Sequence, residues 1–226
     1  MKQFFLSAAI AAALTSTLSA QDATVFIGHG INGTDLALTE ELPVDVTVNG
    51  AVLLAGFEFR SFTDALSLAP GNYSIQIGLA DPVNPGSQPA LIDVTVPLGV
   101  DETATIFAHL DDMGNLVASK FANDTSATGA LRGMVQLHHT AWAPGVDIRA
   151  QWIYANRPTI IEDVTNGAQA VVCAPAGVYG LDLVAANTTT RVLGPLYVAV
   201  LPETYTSYYV VGSLANDTLE IISLSY

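Results

Sequence analysis

The stretch Pro43-Val44-Asp45-Val46-Thr47-Val48-Asn49-Gly50 decides the fold. Strict alternation sends Val44, Val46 and Val48 to one face and Asp45, Thr47 and Asn49 to the other, the period of a half-buried strand, and Asn49-Gly50 favours a tight hairpin after it. A weaker copy, Pro144-Gly145-Val146-Asp147-Ile148-Arg149-Ala150, follows about a hundred residues later. Each copy lies downstream of a strand ending in histidine, Val25-Phe26-Ile27-Gly28-His29 in the first case and Met134-Val135-Gln136-Leu137-His138 in the second.

The same reading extends outward. Tyr73, Ile75, Ile77 and Leu79 share one strand face, as do Ile92, Val94 and Val96, and as do Tyr179, Leu181 and Leu183. After Gln21 no window sustains a helical period for the ten or so residues a helix needs. Three pairs, His29 with His138, Asp45 with Asp147 and Tyr73 with Tyr179, are separated by offsets between 102 and 109. Ala69-Pro70-Gly71-Asn72-Tyr73 answers Ala174-Pro175-Ala176-Gly177-Val178-Tyr179, and the acidic turn from Asp111 to Leu116 answers Asn216-Asp217-Thr218-Leu219. The expected fold is therefore all-β: two tandem immunoglobulin-like antiparallel β-sandwich domains over residues 21–127 and 128–226, following a cleaved signal peptide at 1–20. The boundary is expected in the small, polar stretch Asn123 to Gly129.

The signal peptide is read from Lys2, the apolar run Phe4 to Leu14 and the small-residue site Leu18-Ser19-Ala20. It implies a secreted protein, extracellular, cell-surface or periplasmic. Half of the residues are apolar and only 12% are charged, so a large core is available and disorder is excluded. Twenty-one acidic residues against seven basic ones, a net charge of −14, exclude nucleic acid and anionic membrane surfaces as partners. Cys173 is the single cysteine, so no disulfide forms within the chain. Its apolar setting reads as a small core residue, with a thiol linking two chains as the alternative.

A histidine-ended strand, a proline-bearing loop, Val-Asp-Val with Asn-Gly, and a later strand opened by Ala-Gly-x-Tyr together resemble the bacterial extracellular family catalogued as domain of unknown function 4397. The resemblance covers most of the chain after residue 20, once per half. The two loops depart from the family's His-Ala-Ser-Pro pattern: the second copy reads His138-His139-Thr140-Ala141-Trp142-Ala143-Pro144, and the first carries the insertion Gly30 to Leu42. The resemblance brings a fold and no activity.

His138 and His139 are adjacent on a strand end and point to opposite faces, so they do not clamp one metal, and no cofactor or metal is indicated. The recurrent pairs His29 with Asp45 and His138 with Asp147 read as imidazole–carboxylate hydrogen bonds that fix loop geometry, because a His–Asp pair without a nucleophile completes no triad. Nucleophile elbows, zinc-protease helices and phosphate loops are missing, and the acidic pairs Glu40-Glu41, Asp111-Asp112 and Glu162-Asp163 lack calcium-loop spacing. Trp142 and Trp152 are the binding candidates, since a loop tryptophan on a sandwich serves as a platform for a sugar or a partner, or folds back over its own core. Tyr205 and Tyr209 share a strand face, with Tyr208 opposite. The expected function is a secreted, non-catalytic surface, matrix or adhesion component that meets extracellular glycan or protein. The alternatives are a carbohydrate-binding module built on Trp142 and a hydrolase with its site in the Gly30 to Leu42 insertion or in the groove between the domains.

Overall fold

The computed structural model describes residues 21–126, 128–151 and 159–226. Eight strands form in the first half: β1 (Ala23–His29), β2 (Val44–Val48), β3 (Ala51–Phe57), β4 (Leu66–Leu68), β5 (Gly71–Leu79), β6 (Ala90–Leu98), β7 (Thr103–Leu110) and β8 (Leu116–Ala122). Eight more follow: β9 (Arg132–His139), β10 (Val146–Gln151), β11 (Thr159–Val164), β12 (Gln169–Pro175), β13 (Gly177–Ala185), β14 (Arg191–Val200), β15 (Tyr205–Val211) and β16 (Glu220–Ser225). The described residues contain no α-helix; one 3-10 turn, Gly33–Leu36, lies in the Gly30 to Leu42 insertion.

Among the described residues the strands make four sheets of four, in the orders β4-β1-β7-β8, β3-β2-β5-β6, β12-β9-β15-β16 and β11-β10-β13-β14. The second pair repeats the order of the first, strand for strand. The sheets are not wholly antiparallel: β1 runs parallel to β7, and β9 runs parallel to β15. The organising stretch is β2, with Val44 and Val46 buried and Asn49-Gly50 closing the hairpin through positive φ at both residues, 50° and 80°. Tyr73 and Tyr179 each donate a hydroxyl hydrogen bond to the carbonyl four residues back, Ala69 at 2.7 Å and Pro175 at 2.8 Å.

Among the described residues, three apolar clusters hold the sheets together. Val25, Ile106 and Leu110 meet Val44, Val46, Ile75, Ile77 and Val96 between the first two sheets. Val135, Leu137 and Val210 meet Ile148, Leu181, Leu183 and Val198 between the last two. The third cluster, Phe26, Phe59, Phe107 and Phe121 with Tyr209, Val211, Ile222 and Leu224, joins the β4-β1-β7-β8 sheet to the β12-β9-β15-β16 sheet. The central strands of these two middle sheets are therefore covered on both faces. That is why β7 and β9 are closed to solvent along nearly their whole length, while the outer strand β3 is largely open.

Candidate functional site

The repeated loops are built around the strand-end histidines. His29 donates from Nε2 to the Leu42 carbonyl at 2.9 Å and accepts the Ile31 amide on Nδ1 at 3.2 Å. His139 makes the same pair of contacts, to the Pro144 carbonyl at 2.8 Å and from the Ala141 amide at 3.4 Å. The residue equivalent to His29 is therefore His139, not His138 as the sequence offsets suggest. Burial pushes both imidazoles below their usual pKa, and the carbonyls pull them partly back. Each ring braces its own loop, and each is closed to solvent.

The expected histidine–aspartate hydrogen bonds are not made; backbone amides take the carboxylates instead. Asp45 accepts the Gly56 amide at 2.9 Å, the Asp81 amide at 3.0 Å and the Gly86 amide at 2.8 Å. Asp147 accepts the Asp163 amide at 2.9 Å and the Asn187 amide at 3.1 Å. In both copies one of those amides belongs to a bulge in the neighbouring strand. The register slips opposite Val44–Val46 and again opposite Val146–Ile148, and Gly56 (φ 62°) and Asp163 (φ 52°) sit at the slips in the left-handed region. Asp45 lies on the outer face of its sheet, as alternation predicts, but the loop from Asp81 to Gly86 folds over it and leaves it 2% exposed. Desolvation raises its carboxyl pKa and the three amides lower it further, so it ends below the usual range.

His138 turns the other way, into the face between the middle sheets. Its ring stacks on Tyr209 at 4.3 Å and 9°, and meets Phe121 at 4.5 Å. Tyr209 stacks in turn on Phe107 at 4.3 Å, and Phe107 on Phe62 at 5.8 Å. Neither His138 nitrogen has a hydrogen-bond partner among the described residues, and burial drops its pKa to about 3. His109, which the sequence reading passed over, is buried beside Phe107 and bonded to the Leu110 carbonyl and the Ser119 hydroxyl.

Trp142 is neither a free platform nor a lid on its own half. It packs against the first half's core, with its indole over Gly114 in the β7–β8 turn. A Cβ at Gly114 would stand 2.8 Å from the ring, and φ there is 82°, so only glycine lets the tryptophan in. The reciprocal contact comes from the first half: Asp35 of the 3-10 turn accepts from the Thr218 hydroxyl at 2.8 Å and from Asn216 Nδ2 at 2.9 Å in the β15–β16 turn. Asn166 donates to the Leu110 and Ala141 carbonyls at once, and Arg60 bridges Glu40 at 2.7 Å and Glu220 at 2.9 Å. Trp142→Ala should cost about 1–2 kcal/mol, less than a fully buried tryptophan because the ring is only partly enclosed; a urea denaturation midpoint equal to wild type would show that the indole contact contributes nothing. Trp152 lies outside the described residues.

Chemically, these groups orient backbone and close an interface. The groove between the halves, about 360 Å³, is walled by Asn32, Thr34, Glu40, Arg60, Asp217 and Glu220, and both of its glutamates are held by Arg60. No group of three or more potential metal ligands occurs among the described residues. Cys173 is half-buried and free, with its sulfur 3.3 Å from Arg132 Nε.

A family model described as "Domain of unknown function (DUF4397)" matches residues 36–149, a stretch that runs from the 3-10 turn to β10 and so crosses from the first half into the second. No curated protein matches the sequence. Among solved structures, "The Bacillus anthracis TIE protein" is similar at 8% identity and a TM-score of 0.25, over 85% of this chain. The chain spans 34% of that protein's length.

Proposed function

We propose, from the premise that the chain belongs to the DUF4397 family, that it is a secreted, non-catalytic β-sandwich protein of the cell surface, extracellular matrix or periplasm, acting as a structural or adhesion component. One observation carries this reading: the polar groups that recur in both halves are engaged with the chain's own backbone. His29 and His139 brace loop carbonyls, and Asp45 and Asp147 hold bulge amides. All four are buried, so none meets a substrate while the loops stay closed. The acidic surface supports solubility outside the cell and works against nucleic acid or anionic lipid as partners. Contacts with extracellular glycan or protein would come from exposed sheet faces and loops. A sugar platform on Trp142 loses its support, because that ring is committed to Gly114.

Fractionation of the native cells tests the location, and a broad hydrolytic screen of the purified protein tests the chemistry. The expected result is protein in the medium, surface or periplasmic fraction and no turnover. Cytoplasmic retention removes the surface role, and turnover that is abolished by His29→Ala or His138→Ala while the variant keeps the wild-type circular dichroism and urea midpoint establishes a hydrolase in its place.

A further inference from the structure

We infer that the second half carries a binding site for a small uncharged hydrocarbon group, inside the sandwich between its own two sheets. A cavity of about 180 Å³ lies there, walled by Val135, Leu137, Val172, Ala174, Leu181 and Val198. Tyr179 also reaches the wall, but its hydroxyl is bonded to the Pro175 carbonyl. An apolar cavity of about 150 Å³ stays dry and takes up benzene or xenon, because water finds no partners there. The cavity here is of similar size and equally apolar, and it is partly open to solvent beside the edge strand β12, which gives a ligand a way in.

Comparison of the halves shows that the space comes from side-chain choice and not from the fold. Counting back six residues from His29 and from His139 sets Ala23 against Gly133, and their partners across the strand pair are Leu68 and Ala174. Where the first half packs Leu68 against its core, the second offers a single methyl group. Gly133 cannot restore the volume, because a Cβ there would stand 2.4 Å from the Leu201 carbonyl oxygen. Ala174 is the position that keeps the cavity open. The net charge of −14 disfavours anionic amphiphiles, and the apolar wall gives a cationic group no partner, so the ligand is neutral: a free hydrocarbon of about benzene size or the end of an uncharged acyl chain. The site stands whether or not the protein works at the cell surface.

Thermal melting of the purified protein with benzene, and separately with monomeric 1-octanoylglycerol, tests the site. A probe at about ten times its Kd should raise Tm by about 3 °C. Ala174→Leu, which gives the second half the first half's side chain, should raise Tm without any probe and abolish the probe-dependent rise. If leucine proves too large to fold, Ala174→Val should still weaken the apparent affinity at least fivefold. A response to benzene alone assigns a free hydrocarbon, and a response to both assigns a chain end. No shift with either probe, or a shift in the Ala174 variants as large as in wild type, overturns the site.

Discussion

Asp45→Ala should destabilise the protein by about 3–5 kcal/mol, more than any other single replacement on its strand face. The buried carboxylate is the acceptor for three part-buried amides, those of Gly56, Asp81 and Gly86, and an amide left there without an acceptor costs up to about 1–3 kcal/mol. Water can reach part of the Asp81–Gly86 loop once it loosens, so the sum falls short of three full penalties. Asp147→Ala, with two amides at stake, should cost about 2–3 kcal/mol. Thr47→Ala is the control, since its hydroxyl makes one contact at the 3.5 Å limit and surface substitutions usually stay within about 0.5 kcal/mol. The sign with pH is fixed by the lowered carboxyl pKa of Asp45: the part of its contribution that depends on charge is complete above 3.8 and is lost as pH falls through the folded value, so the gap between wild type and Asp45→Ala should narrow in acid. Chemical denaturation of the three variants decides the matter, and equal midpoints would remove the structural role of the repeated Val-Asp motif.

The parts of this architecture that were legible in the sequence are those set by neighbours along the chain. Alternation from Val44 to Val48 gives the buried face of β2, Asn49-Gly50 gives its hairpin, and the Tyr73 and Tyr179 strands announce the repeat. The assignments that failed depended on register. His138 and His139 are adjacent, and a shift of one residue exchanges the loop brace for the interface, which only strand pairing resolves. The aspartates' partners were hidden because they are backbone amides, one in each copy at a bulge and the others in loops, and a bulge leaves little mark in side-chain pattern: the first copy places glycine there and the second aspartate. The contacts between the halves join residues far apart in sequence, Trp142 with Gly114 and Asp35 with Thr218. A signal for that interface was present. In Thr105-Ile106-Phe107-Ala108-His109-Leu110 large side chains occupy both faces of one strand, as expected of a sheet covered on two sides.

The stability of the protein should fall steeply between neutral pH and about pH 4, and His138 should account for much of the fall. Burial lowers the pKa of all four histidines, to about 3 for His138 and about 4 for His109. Below the unfolded value of 6.5 the unfolded chain therefore takes up protons that the folded chain refuses, and stability is lost as pH drops from there toward the folded values. Each histidine contributes a slope of up to about 1.4 kcal/mol per pH unit inside that window. His138 is the one that can be removed without leaving a partner behind. Its nitrogens bond to nothing among the described residues, whereas replacing His109 would strand the Leu110 carbonyl and the Ser119 hydroxyl. His138→Phe keeps a flat ring between Tyr209 and Phe121 and deletes the titrating group. It should match or exceed wild type at pH 7.5 and gain on it by about 2–3 kcal/mol by pH 4, read as urea midpoints across the range. Parallel profiles for the two proteins would mean that protonation of His138 is not what weakens the face between the middle sheets in acid.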